Sequence, residues 1–218
     1  MLLGDERLAV CEYARRMTAD GLVVGTSGNI SVRSGDLIAV TPTGVDYAEL
    51  RSEDIPLVAP DGSIADGSLR PTSELPMHLS VYREVVDPDG LPVTAIVHTH
   101  SVHATAVSTL VGAVPPIHYL LAAIGPAVRV AAYATYGTVE LADAMLAALE
   151  GSRGCLLANH GTITYGDSLY AAYNRARQLE WVCQLWLLAR SAGSPALLPP
   201  GEIAKVAGKL RAYGQGAD

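Results

Sequence analysis

The sequence predicts an α/β fold, a central sheet with helices packed on its faces. Short apolar runs bounded by Gly, Pro and Asp turns intermix with longer segments whose apolar residues recur every three or four places. The chain has 218 residues, 50% of them hydrophobic and 17% charged, enough to bury one large core. Residues 1–218 therefore read as a single domain without internal repeats, in which 194–218 form a connector and a short C-terminal helix.

Residues 5–20 carry an amphipathic pattern that predicts a helix, ended by "DGL". "GTSGNISVR" (25–33) is a glycine-punctuated turn running into a strand, and "DLIAVTPTGVDY" (36–47) is a second strand followed by a Pro/Gly turn. "IPLVAPDGSIADGS" (55–68) reads as a strand with an Asp-Gly hairpin turn. "SELPMHLSVYREVV" (73–86) reads as a helix with Ser73 as candidate N-cap, since Pro76 is tolerated only in a first turn. A strand ending in "AIVHTH" (95–100) follows, then a helix from Ser101. Next come a strand near 128–131, a helix at 138–149, a strand "CLLAN" (155–159), a turn at "HGT" and a strand "ITY" (163–165). The longest helix is expected over 168–191, where Ala172, Ala176, Leu179, Val182, Trp186 and Ala189 form one apolar stripe. Trp186 belongs to that stripe and to the core. Trp181 lies off it and is free to face a partner subunit. "SPALLPPGE" (194–202) is a proline-rich connector.

A net charge of −7 argues against a nucleic-acid binder, which needs a basic face to neutralise phosphates. A small anion is still compatible, because backbone N–H groups and hydroxyls can hold one. Cys11, Cys155 and Cys183 are widely spaced and form no C-x-x-C pair, which suits buried free thiols in a cytosolic protein. The start "MLLGDERLAV" has acidic residues where a signal peptide needs basic ones. "LVGAVPPIHYLLAAIGPAV" (110–128) lacks formal charge but is broken by Pro115, Pro116, Gly125 and Pro126. That pattern predicts buried or subunit-facing surface rather than a membrane span. The expectation is a soluble, cytoplasmic protein.

Three of the six histidines fall in "IVHTHSVHA" (96–104). His98 and His100 are two apart at a strand end, so both imidazoles leave the same side. On spacing alone such a pair serves equally as an incidental feature or as two ligands of one ion. His160 follows the apolar "CLLA" in "NHG", where Gly161 would let the chain turn sharply. Three histidines with an open position are the usual set of a catalytic zinc site. His103 and His118 read as structural. His78, one helical turn after Glu74, suits either orienting that carboxylate or an ordinary surface role. "GTSGN" (25–29), "TPTG" (41–44) and "PTSE" (71–74) each read alone as ordinary turns. Together they are what a phosphate site without lysine would use, and a cap at Ser73 would aim a helix N-terminus at the anion.

Taken in order, "GTSGNISVR", "TPTGVDY", "TSE", "VHTHSVHATAVS", "IHYLLAA", "YATYGT" and "NHG" resemble the zinc-dependent class II sugar-phosphate aldolases. The similarity is to the fuculose-1-phosphate aldolase type within the aldolase/adducin superfamily, and it runs from the first helix to about residue 190. It implies a mainly antiparallel sheet with helices on both faces. It implies one Zn²⁺ per subunit, held by His98, His100 and His160. Glu74 would be the acid/base, lying on the metal at rest and swinging away when substrate binds. Thr26, Asn29, Thr43, Gly44, Thr72 and Ser73 would hold the substrate phosphate. Tyr119 would reach into a neighbouring subunit's site and handle the proton on the aldehyde oxygen. The assembly would be a cyclic homotetramer with sites at subunit interfaces, and its partner a small phosphorylated sugar.

The implied reaction is reversible cleavage of a ketose 1-phosphate, such as L-fuculose 1-phosphate, to dihydroxyacetone phosphate and an aldehyde through a zinc-stabilised enediolate. L-ribulose-5-phosphate 4-epimerase and methylthioribulose-1-phosphate dehydratase are alternatives on the same scaffold; the epimerase usually carries Asp where this chain has Glu74. A non-catalytic adducin-like scaffold is the alternative of a different class, and it lacks the metal ligands. Leu75-Pro76 after Glu74 departs from the fuculose enzymes.

Overall fold

In the computed structural model, which describes residues 2–211, the strands are β1 (Asn29–Ser34), β2 (Leu37–Val40), β3 (Leu57–Val58), β4 (Ile64–Asp66), β5 (Ala95–Thr99), β6 (Val130–Ala131), β7 (Gly154–Leu157) and β8 (Gly161–Gly166). The helices are α1 (Gly4–Ala19), α2 (Leu75–Glu84), α3 (Val102–Ser108), α4 (Val139–Leu149), α5 (Leu169–Ala192) and α6 (Glu202–Arg211). The strands join in one sheet, ordered β4-β3-β2-β1-β5-β8-β7-β6. Every neighbouring pair is antiparallel except β6 and β7. The α/β class with a mainly antiparallel sheet is therefore observed.

Alternation along the strands separates two cores. Ala95 and Val97 of β5 join Ile30 of β1 and Ala39 of β2 in a cluster covered by α1 and α5. Ile96 joins Ile163, Tyr165, Cys155 and Leu157 on the opposite face, under Met77 and Val81 of α2 and Met145 of α4. This parity fixes the site. Continuing past Ile96, His98 and His100 take the α2 side, and so do Asn29 and Ser31 of β1, which pair with His98 and Ile96.

α5 shows why the predicted stripe works. Ser168 Oγ accepts from Ala171 N at 3.2 Å and caps the helix. Ala172 and Ala176 let its axis approach the sheet, and Leu179, Val182 and Trp186 continue the buried face. Each large apolar side chain buried here stabilises the fold by about 1.5–3 kcal/mol. Trp181 lies off the stripe and is 43% exposed. All three cysteines are free and buried, and burial pushes the Cys11 thiol up to about 11.

Some expectations shift. The helix after "PTSE" begins at Leu75 with Glu74, not Ser73, at the N-cap. Thr72 organises that turn: its Oγ1 accepts from Glu74 N at 3.2 Å and its carbonyl from Leu75 N at 3.1 Å. Ser73 is left exposed. The 110–128 segment is irregular apart from a short 3₁₀ turn at Tyr119–Ala123. Val114, Leu121, Ile124 and Val128 are buried against α5 and α6, while Tyr119 is 48% exposed. Among the described residues no helix is long and apolar enough to cross a membrane. The connector leads into α6, whose Ile203 docks in the same cluster; residues 212–218 of the predicted terminal segment lie outside the described residues.

Candidate active site and metal centre

Three elements converge on one point. β5 delivers His98 and His100 from the face fixed by Ile96. The tight turn between β7 and β8 delivers His160, and the N-terminus of α2 delivers Glu74. The bend at His160 is not made by Gly161, as the sequence suggested. Asn159 takes the left-handed conformation, φ +57°, which Asn tolerates better than most residues. Gly161 is needed for a different reason: a Cβ there would lie 2.0 Å from Thr99 O across the strand pair.

His98 Nε2 lies 2.9 Å from His100 Nε2, and His100 Nε2 lies 3.1 Å from His160 Nε2. Glu74 Oε2 is 3.1 Å from His98 Nε2, and Oε1 is 3.2 Å from His160 Nε2. The four candidate ligand atoms all fall within 4.8 Å of one another. Nitrogens bonded to one tetrahedral ion at about 2.0–2.1 Å stand about 3.3 Å apart, close to this spacing. His98 Nδ1 donates to Thr162 O at 2.8 Å, which fixes the neutral tautomer and turns the Nε2 lone pair into the cluster. Glu74 Oε1 is buried and accepts no hydrogen bond among the described residues. Converging lone pairs and an unsatisfied carboxylate oxygen fit a divalent cation with nitrogen and oxygen ligands.

Neighbouring charge keeps Glu74 anionic and burial keeps His100 neutral, the forms that can ligate a cation. Burial works to raise the Glu74 pKa, but the adjacent His98 and His160 outweigh it and hold the carboxyl well below the usual range. His100 is pushed down to about 3, first by burial and then by the neighbouring imidazoles. His98 is buried too, yet the Glu74 carboxylate overcomes the burial and raises it.

The hydroxyl-rich loops meet beside this cluster. Pro42 and Pro71 form an antiparallel bridge; Thr72 N donates to Thr41 O at 3.0 Å and Thr43 N to Arg70 O at 3.1 Å. Gly28, φ +72°, holds the third loop close, since a Cβ there would lie 2.8 Å from His98 O. The result is a cleft of about 400 Å³, of a size for a small organic ligand. Thr26, Asn29, Thr43, Gly44, Thr72 and Ser73 all line it, together with Glu74, His100 and His160. Among the described residues no lysine or arginine lines it; the chain's two lysines, Lys205 and Lys209, sit on α6.

The other singled-out residues separate clearly. His103 is structural: its Nδ1 and N–H, with Ala104 N–H, engage the Glu180 carboxylate at 2.6–3.0 Å, which caps α3. His118 accepts from Leu120 N at 3.2 Å and packs between Tyr119 and Trp181. Tyr119 does not line the cleft of its own chain. His78 is fully buried, so its surface alternative is wrong; it reaches Glu74 through Asn29. Sequence reasoning gave no role to Tyr133, Tyr136 and Asn159, which form the cleft wall beyond the histidines. Their only signal was membership of the "YATYGT" and "NHG" motifs.

The chain matches the family described as class II aldolase and adducin N-terminal domain over residues 8–187. It is 40% identical over 217 residues to a 5-deoxy-D-ribulose 1-phosphate aldolase of Bacillus thuringiensis serovar kurstaki, covering 99% of this chain and 100% of that one. It is 38% identical over 207 residues to an L-fuculose phosphate aldolase of Escherichia coli K12, covering 94% of each. Among solved structures, an L-fuculose 1-phosphate aldolase superposes with a TM-score of 0.89 at 36% identity, covering 95% of this chain and 96% of that one.

Proposed function

The chain belongs to the class II aldolase and adducin family, and from that premise we propose that it is a metal-dependent aldolase cleaving a ketose 1-phosphate to dihydroxyacetone phosphate and a short aldehyde. Aldol-lyase chemistry of the fuculose-phosphate or deoxyribulose-phosphate type follows from the family and from relatives so named. One observation carries the rest: Glu74, His100 and His160 open onto the same cleft as the three hydroxyl-rich loops, with no lysine there to form a Schiff base. Between the candidate sugars, the 40% identity to the 5-deoxyribulose 1-phosphate enzyme favours 5-deoxyribulose 1-phosphate, which would release acetaldehyde.

Zn²⁺ held by His98, His100 and His160 would supply Lewis-acid stabilisation of the charge left on the dihydroxyacetone phosphate half. Everything else falls to the chain. The Thr26, Thr43–Gly44 and Thr72–Ser73 loops bind the phosphate through hydroxyls and backbone N–H groups. Glu74 moves the proton at the hydroxymethyl carbon of dihydroxyacetone phosphate, as base towards addition and as acid in cleavage. Tyr133 and Tyr136 wall the aldehyde end. A panel of ketose 1-phosphates and pentulose 5-phosphates, assayed with zinc-loaded protein, tests this reading. Cleavage of a ketose 1-phosphate with release of dihydroxyacetone phosphate is expected. Epimerisation of a pentulose 5-phosphate without cleavage would replace it with the epimerase.

The proposal extends to assembly and place: a cytoplasmic homotetramer with active sites at subunit interfaces, each receiving Tyr119 from a neighbour. Its support is the exposed aromatic group of Tyr119 and Trp181 around His118, outside the chain's own cleft. Tyr119→Phe is expected to keep zinc and proton exchange while slowing carbon–carbon cleavage. Mixed with Glu74→Gln subunits, it should recover activity, because some interfaces pair an intact Tyr119 with an intact Glu74. No recovery in mixtures shown by mass spectrometry to have exchanged subunits would refute the arrangement.

A further inference from the structure

Behind Glu74 a run of buried polar side chains leads away from the metal ligands. Ser31 and His78 are 0% exposed and Asn29 is 3% exposed. His78 Nε2 lies 2.6 Å from Asn29 Oδ1, and its Nδ1 lies 2.7 Å from Ser31 Oγ. Tyr82 Oη reaches the same Ser31 Oγ at 2.8 Å. At the other end Asn29 Nδ2 donates to Glu74 Oε2 at 2.9 Å. Strand parity puts Asn29 and Ser31 on the α2 face of β1, and helix periodicity puts His78 and Tyr82 below Glu74.

The hydrogens in this chain can be assigned in only one direction. Glu74 is a carboxylate and accepts only, so the Asn29 amide must present Nδ2 to it and Oδ1 to His78. Oδ1 also accepts only, so His78 carries its proton on Nε2. Burial keeps that imidazole neutral, pushing its pKa down to about 3. Nδ1 then accepts from the Ser31 hydroxyl, whose oxygen in turn accepts from Tyr82. The donors point one way from Ser31 through His78 and Asn29 to Glu74, and Tyr82 Oη, which also lies 3.5 Å from Thr94 O, donates to Ser31 Oγ. The arrangement locks the amide against the rotation that would set its oxygen against the carboxylate.

We propose that His78 is a positioning residue for Glu74, holding the Asn29 amide so that it grips Oε2 and leaves Oε1 to face metal and substrate. The assignment rests on the reading of Glu74 as acid/base. One Asn29 Nδ2–H is thereby committed to the carboxylate, and the second is left for the cleft that Asn29 lines. Replacing His78 should therefore lower turnover and leave substrate affinity nearly intact.

The test uses zinc-loaded full-length protein. Imidazole ¹⁵N NMR of the wild type should show His78 as the neutral Nε2–H tautomer from about pH 5 to about pH 9. The Asn29 side-chain amide resonance should shift in His78→Leu and return towards its wild-type position in His78→Gln. Gln can place an amide N–H where Nε2–H stood. In kinetics, His78→Leu should slow kcat for proton exchange into dihydroxyacetone phosphate by about tenfold or more, with KM changed by less than about twofold and zinc content unchanged. His78→Gln should regain most of that loss. An Nδ1–H tautomer, wild-type kcat in His78→Leu, or the same loss in both variants would overturn the assignment. If His78→Leu does not fold, the wild-type spectrum and His78→Gln still decide. A wild type that exchanges no proton would refute the catalytic reading of Glu74 itself, while the tautomer and the Asn29 resonance would judge the relay separately.

Discussion

Glu74→Gln is expected to slow proton exchange at the hydroxymethyl carbon of dihydroxyacetone phosphate by about 10²-fold or more, with zinc still bound. That factor corresponds to about 2.7 kcal/mol of lost transition-state stabilisation. The substitution keeps the size of the side chain and removes only its capacity to take and return a proton. Because the three imidazoles converge without help from the carboxylate, the metal should stay. Exchange and zinc content measured on the same sample separate the two functions. Unchanged exchange would transfer the acid/base role to another group.

Removing the metal should cost more. The purified protein is expected to carry about one zinc per chain. Chelation should lower ketose 1-phosphate cleavage by several kcal/mol, about 10³-fold or beyond, and added Zn²⁺ should restore it. With no lysine in the cleft, no side chain can replace the ion as electron sink. His100→Ala should reproduce the loss without rescue, since it leaves His98 and His160 one ligand short. Metal analysis beside the cleavage assay checks this, and full activity in metal-free protein would refute it.

Much of the site was legible in the sequence because its geometry is local. The two-residue spacing of His98 and His100 at a strand end is enough to put both imidazoles on one side. His160 was legible as the residue ending an apolar strand. Features decided by distant packing were harder to read. Asn159 takes the left-handed conformation, while Gly161 leaves room for the Thr99 carbonyl of β5, 62 residues away in sequence. Thr72, not Ser73, organises the start of α2, and it is tied to Thr41 across the chain beside the Pro42–Pro71 bridge. His78 could be surface or support by its helical position alone, and only β1 packed over it settles the matter. Tyr133 and Tyr136 carry no local pattern that distinguishes a cleft wall from any exposed turn.

The most direct test of a metal-assisted carbanion site is exchange of dihydroxyacetone phosphate in D₂O without any aldehyde, followed by NMR before and after chelation. This isolates the step assigned to Glu74 and the metal from phosphate-sugar specificity and from Tyr119. The account predicts deuterium at one hydroxymethyl position with zinc bound, none above background after chelation, and recovery when zinc is returned. Exchange that persists at the same rate without metal, or its absence from the zinc-loaded protein, would contradict it.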